Sequence, residues 1–148
     1  INRDGRYDLK LPDYVVRELH LDEVLAPICE KLRTIMHNPT PILRTHNVVF
    51  APVGSKEQNW HVDDSMRQGK LHSYFTILIH LNPIDDKCGG TEIWSKSLKR
   101  GDMIRARPGD AFVFNGSLLH RGQANYGYSH RFFYYASFSC RADTNDGL

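Results

Sequence analysis

The stretch Pro108–Gly122, PGDAFVFNGSLLHRG, carries the reading of the fold. Pro108-Gly109-Asp110 and Asn115-Gly116 are turn sequences, and between them lies Ala111-Phe112-Val113-Phe114. That run is too short for a helix and is aromatic and β-branched, so it reads as a buried strand closed at both ends by turns. His120 follows just beyond the second turn. The same texture extends on both sides, from Pro41 almost to the end. Short β-like runs occur at Leu43–Ala51, Asn59–Val62, Ser73–Leu81, Thr91–Trp94, Met103–Ala106, Ala111–Phe114, Leu118–Ala124 and Arg131–Ser139. Turn residues separate them: Pro52-Val53-Gly54, Asn82-Pro83, Gly89-Gly90, Arg100-Gly101-Asp102 and Asn125-Tyr126-Gly127, besides the two turns already named. Eight short strands without alternating helices predict an all-β core, a double-sheet jelly roll. Such a roll opens between its sheets, where strand ends can present ligands.

Upstream the pattern changes period. Val24, Leu25, Ile28, Leu32, Ile35 and Met36 recur at three- and four-residue steps. They predict a helix over 22–37 with Asp22 as N-cap and Asn38-Pro39 as its stop, packed outside the roll. Residues 1–12 mix charge with Gly and Pro and read as an irregular arm. The expected organisation is one domain over 1–148, with arm and helix in 1–40 and the jelly-roll core in 41–140.

Bulk composition excludes several classes. The net charge of +2 is too small to indicate nucleic acid or a membrane surface. No apolar run reaches the roughly 18 residues of a membrane span. Cys29, Cys88 and Cys140 are far apart and form no C-x-x-C pattern, which argues against a zinc site or a disulfide framework. Reduced thiols and a cytoplasmic setting are the plainer expectation. The chain opens on Ile1 rather than Met, as a processed or excised segment would.

The chemistry begins at His61-Val62-Asp63. Side chains at i and i+2 of a strand share a face, so an imidazole and a carboxylate can reach one ion together. Alone, His-x-Asp is common and most often a surface pair. His120, on its strand-turn support, supplies a second imidazole. Two histidines and one carboxylate, with no thiolate, form the facial set of non-haem Fe(II) oxygenases and leave coordination positions open. Arg131 comes eleven residues after His120, across the turn 125–129, at the head of the aromatic run Phe132-Phe133-Tyr134-Tyr135. A hairpin there would return it to the same pocket. A guanidinium inside a barrel needs an anion, and the distal carboxylate of a dicarboxylate suits its fork.

The pattern His61-x-Asp63, His120, then Arg131 resembles the Fe(II)/2-oxoglutarate-dependent oxygenases, and most of all their phytanoyl-CoA dioxygenase branch. The resemblance covers 43–140 and includes Leu81-Asn82-Pro83, Gly89-Gly90-Thr91-Glu92 and Pro108-Gly109-Asp110. It implies a double-stranded β-helix and Fe(II) held by His61, Asp63 and His120. It further implies 2-oxoglutarate as co-substrate, with its far carboxylate on Arg131, and dioxygen as oxidant. The reaction implied is oxidation of a substrate C–H bond, with release of succinate and carbon dioxide. Related halogenases lack the carboxylate, so Asp63 points to hydroxylation or another oxidation rather than halogenation. Two departures bear on substrate class. Some relatives carry Ser two residues after the second metal histidine, where this chain has Gly122, and larger members have longer N-terminal and loop segments.

Further pocket candidates follow from strand alternation. Tyr74, Thr76, Leu78 and His80 share a face; if it is the interior, Thr76 and His80 are placed to bond the co-substrate's carboxylates. The competing reading has Phe75, Ile77 and Ile79 in the core and His80 in solvent. Arg44, Asn47, Gln58 and Trp60 are weaker lining candidates, and Arg105 and Arg107 read as solvated. His20, His37, His46, His72 and His130 read as structural or surface, and Met66–Lys70 as a lid or a plain connecting loop. The expected partner is a small molecule. Two other classes stay open: a cupin-like metal enzyme that needs no 2-oxo acid, and a non-catalytic jelly-roll binding domain.

Overall fold

The computed structural model describes residues 2–35, 40–63, 73–84 and 87–141. Its strands are β1 (Asn2–Arg3), β2 (Arg6–Lys10), β3 (Thr40–Ala51), β4 (Ser73–His80), β5 (Thr91–Ser95), β6 (Arg100–Met103), β7 (Ala111–Asn115), β8 (His120–Gly122) and β9 (Arg131–Arg141). Its helices are α1 (Asp13–Glu18) and α2 (Leu21–Ile35). The strands form a six-stranded sheet in the order β1-β2-β3-β9-β4-β7 and a three-stranded sheet β6-β5-β8. Every ladder is antiparallel. This is the jelly roll expected from the sequence, with a helix on its outside.

Alternation along β4 and β9 shows how the large sheet is used. Ile77, Tyr134, Ala136 and Phe138 pack with Leu25 of α2, and Ile28 and Ile79 pack against that cluster. The opposite faces of the same strands turn Thr76, Leu78, Phe133 and Tyr135 into the mouth between the sheets. Both sides of the central strands are therefore covered, one by α2 and one by the roll interior. Each fully buried Leu or Ile contributes about 1.5–3 kcal/mol here.

Several expectations are corrected. The N-terminal arm is not irregular. Its Arg6–Lys10 segment pairs with Asn47–Phe50 of β3, with Tyr7 opposite Phe50 and Lys10 opposite Asn47. Its turn signals lie at Asp4-Gly5, between β1 and β2, and the pairing partner is some forty residues away. The helix begins at Leu21, so Asp22 lies in its first turn instead of capping it. An additional short helix, α1, precedes it. Leu25 and Leu32 are buried, whereas Val24 and Ile35 face solvent. Arg100-Gly101-Asp102 belongs to strand β6, not to a turn. Gly101 sits opposite Trp94, and a Cβ on it would lie 2.2 Å from Glu92 Oε1, so the glycine serves cross-strand packing. The expected strand at 59–62 is reduced to one bridge between His61 and His120. The helix stop at 36–39, the 64–72 loop with its lid reading, and His37 and His72 lie outside the described residues.

Candidate metal centre

The bridge between His61 and His120 closes the 59-residue gap between the two imidazoles. Each residue's N–H donates to the other's carbonyl at 2.9 Å, a hydrogen-bonded antiparallel pair. The rings stand with centroids 4.4 Å apart. The Asp63 N–H donates to the Gly116 carbonyl at 2.9 Å, which ties the third donor to the turn after β7. Asp63 Oδ1 lies 3.5 Å from His120 Nε2 and 4.0 Å from His61 Nε2. The donor atoms of all three residues fall within 4.8 Å of one another.

Each donor is oriented by a second contact. His61 Nδ1 is 2.8 Å from the Asn59 carbonyl, and His120 Nδ1 is 2.9 Å from the Leu118 carbonyl. A carbonyl only accepts, so the proton of each ring belongs on Nδ1 and the lone pair on Nε2, aimed at Asp63. Thr76 Oγ1 donates to Asp63 Oδ2 at 2.6 Å, which leaves Oδ1 to face the histidines. Phe114 packs edge-on against the His120 ring at 4.8 Å. Without an ion, the donors respond to each other. Burial raises the Asp63 pKa, but hydrogen bonding and charge from His120, with help from Thr76 and His61, outweigh it and leave the pKa below the usual carboxylate value. Burial lowers the His120 pKa, and Asp63 more than reverses this. Two nitrogen donors and one oxygen donor, pre-aimed and without sulfur, fit a borderline divalent ion such as Fe(II).

The three residues open on a cavity of about 550 Å³ with apolar walls from Leu78, Phe114 and Phe133 and polar groups from Arg6, Gln58 and Tyr135. Near the cavity, on the β8 side, two buried nitrogen-bearing side chains lie close together. Arg131 is 1% exposed; its Nη1 donates to the Cys88 carbonyl at 2.7 Å and its Nη2 to the Gln123 carbonyl at 2.9 Å. Its Nε is buried with no partner. Burial, followed by the positive charge of Arg6, pushes the Arg131 pKa down to about 10. His80 is 1% exposed, and neither ring nitrogen has a partner. Burial, then Arg131, pushes its pKa down, so it is held neutral. Buried polar atoms left without a partner cost free energy until a partner reaches them.

No family model and no curated protein matches the chain. Solved structures do. The non-heme alpha ketoglutarate dependent epimerase SnoN from nogalamycin biosynthesis superposes with a TM-score of 0.64 at 15% identity, over 75% of this chain and 51% of SnoN. The carbocyclase SnoK from the same biosynthesis gives 0.60 at 12%, over 97% of this chain and 85% of SnoK. EctD from S. alaskensis with bound Fe gives 0.68 at 12%, over 90% of this chain and 56% of EctD. The likeness is one of fold: this chain shares the double-sheet β architecture of these proteins. The chain spans about half the length of SnoN and of EctD.

On this fold the remaining candidates separate. Thr76 lines the cavity, but its hydroxyl is engaged by Asp63. His80 is buried rather than in solvent, while Ile77 and Ile79 do fill the core under α2. Gln58 Oε1 accepts from the Gly122 N–H at 2.9 Å. Trp60 stands edge-on to Trp94 and under Arg121, which also pairs with Glu57 and Glu92; this cluster braces the segment before His61 against β8. Arg44 bonds Ser139, Asn47 bonds Asp8, and Arg107 bonds Asp110; none of the three lines the cavity. His46 contacts Tyr134 and lies 3.9 Å from Asp22, consistent with a structural role. Sequence reasoning missed Arg6, whose signal was only the alternation of Arg6, Asp8 and Lys10 along one face. It also missed Asn125, fully buried, which donates to the carbonyls of Ala51 and Ser129 and accepts from the Gly127 N–H, fixing the loop between β8 and β9.

Proposed function

We propose that this chain is the catalytic core of a non-haem Fe(II)- and 2-oxoglutarate-dependent dioxygenase that hydroxylates a small organic or acyl substrate. The observation that carries the proposal is the donor set of His61, Asp63 and His120, each held in its ligating orientation by Asn59, Thr76 or Leu118. Among the branches of the superfamily, the eleven-residue step from His120 to Arg131 favours the phytanoyl-CoA dioxygenase type.

His61 Nε2, His120 Nε2 and Asp63 Oδ1 would hold the ion on one side, leaving its other side to the cavity. Fe(II) held there together with 2-oxoglutarate would supply the oxidising power for a substrate C–H bond, with succinate and carbon dioxide as co-products. Arg131 offers its unpaired Nε to the distal carboxylate and so orients the keto acid end towards the ion. Thr76 keeps the Asp63 carboxylate from rotating. Leu78, Phe114 and Phe133 exclude water from the space where the substrate carbon would lie. The donor set includes the carboxylate, which favours hydroxylation over halogenation. The partner on this reading is a small molecule, and neither nucleic acid nor a membrane is involved. Among the described residues, no helix is long and apolar enough to cross a membrane.

The test is turnover of 2-oxoglutarate to succinate by the purified protein with Fe(II) and ascorbate, beside Mn(II) binding. The wild type binds Mn(II) and forms succinate, the His61→Ala/Asp63→Ala variant does neither, and Arg131→Ala binds Mn(II) but forms little succinate. Metal-dependent activity untouched in Arg131→Ala would instead favour a cupin-like enzyme. Mn(II) binding no tighter in the wild type than in the double variant would favour a non-catalytic domain.

A further inference from the structure

Arg131 is not the only guanidinium at this end of the cavity. Arg6, on β2, is 3% exposed and lines the cavity that holds His61, Asp63 and His120; Arg131 is not among its lining residues. Arg6 Nη2 donates to the carbonyls of Gly122 and Gln123, and Arg131 Nη2 donates to that same Gln123 carbonyl. The two forks therefore meet at one main-chain oxygen. Among the described residues, the hydrogen bonds of both go to main-chain carbonyls alone. Arg6 Nε, Arg6 Nη1 and Arg131 Nε are buried without a partner. Gly122 leaves the room for this arrangement: a Cβ on it would lie 2.7 Å from Gln58 Oε1 and 3.5 Å from Arg6 Cζ.

Asp4 and Glu57 act on Arg6 through their charge, but the hydrogen bonds of Arg6 go to carbonyls and not to either carboxylate. Two buried guanidiniums that share an acceptor still repel, and an anion between them relieves this. A carboxylate has two oxygens and about four acceptor sites, enough to take donors from two guanidiniums. We propose that Arg6 is a second anion-binding residue of the co-substrate seat, and that Arg6 and Arg131 together hold the distal carboxylate of 2-oxoglutarate. This rests on the function proposed above and adds to it. The N-terminal hairpin is then part of the active site, because β2 carries the guanidinium that faces the cavity. A substrate anion in the same place is the competing occupant. The shared Gln123 carbonyl favours the co-substrate, since it puts Arg6 at the group that Arg131 serves.

The test compares 2-oxoglutarate with 2-oxopentanoate, which has the same chain and keto acid but a methyl group in place of the distal carboxylate. Binding to Mn(II)-loaded protein is followed by calorimetry and by the rise in unfolding temperature, so no turnover is needed. Wild type is expected to bind 2-oxoglutarate at least about tenfold more tightly than 2-oxopentanoate, as for loss of a charged hydrogen bond. Arg6→Gln should lose most of that preference by weakening 2-oxoglutarate alone, and Arg6→Lys, which keeps the charge without the fork, should keep part of it. Folding of each variant is checked by its affinity for 2-oxopentanoate, which should match wild type. Wild-type discrimination in both Arg6 variants, with loss in Arg131→Gln, overturns the role of Arg6 and leaves the proposed function standing. A wild type that binds neither acid, or both alike, overturns the proposed function and the role of Arg6 with it.

Discussion

Thr76 has one proton to donate, and Asp63 Oδ2 receives it at 2.6 Å. The sequence left open which face of this strand is interior and, for the face of Thr76, suggested the co-substrate as its partner; only the fold brings Asp63 within reach. Thr76→Val keeps the shape of this fully buried residue and removes the donor. Outer-shell contacts of this kind are worth about 10–100-fold in metal affinity. The variant is expected to fold and to bind Mn(II) weaker by that factor, measured by titration. Arg131 illustrates the other limit of reading single residues. Its position after a turn indicated a pocket, but the spending of both Nη atoms on the Cys88 and Gln123 carbonyls was not visible from spacing.

At the scale of elements, the loop before β5 and helix α2 do separate work. Gly89 has φ of +65°, and a Cβ on it would lie 2.3 Å from the Ala124 carbonyl and 3.0 Å from Arg131 Nη1. Its glycine was legible as a turn signal, but the neighbour that demands it lies more than thirty residues away. Gly89→Ala costs about 1–2 kcal/mol for the left-handed backbone alone, and the clash displaces the loop that holds Arg131. The expected result is a lowered unfolding temperature and weakened 2-oxoglutarate binding, with Mn(II) affinity retained. Helix α2 closes the outer face of the large sheet through Leu25, which is 2% exposed against Ile77, Tyr134, Ala136 and Phe138. Leu25→Ala should cost about 2–5 kcal/mol in chemical denaturation through the cavity it leaves. The helical period identified this stripe. It did not separate Leu25 from Val24, because which edge of a stripe is buried depends on the surface it meets.

Across the whole molecule, two histidines give acid sensitivity. Burial is the largest cause of the lowered pKa of both His46 and His80; Asp22 and Asp13 oppose it at His46, and Arg131 reinforces it at His80. A depressed folded-state value means that the unfolded chain takes up the proton first. The stability these groups contribute is thus present above the unfolded value of 6.5 and is lost as pH falls through the lower folded values. His120, with its raised folded value, works in the opposite sense over the same range. The contribution of His80 is isolated by its variant, and His80→Gln should lose less unfolding free energy than the metal-free wild type as pH is taken from 7 towards 5. An equal slope in His80→Gln would place the sensitivity elsewhere.

The sequence by itself determined the all-β core, the outer helix and the three candidate donors. These features are local: strand period, turn residues, and histidines beside a carboxylate or after a tight turn are set by chemistry within a few positions. The tertiary structure alone decided the rest. It paired His61 with His120, turned residues 6–10 from an apparent arm into a strand of the large sheet, and set Arg6 beside Arg131. Strand pairing joins segments that share no sequence neighbourhood, and a guanidinium's partners depend on which carbonyls the folded chain brings within about 3 Å. Among the charged residues at the start of the chain nothing local marks Arg6 for burial, so it became visible only when β8 was packed over it.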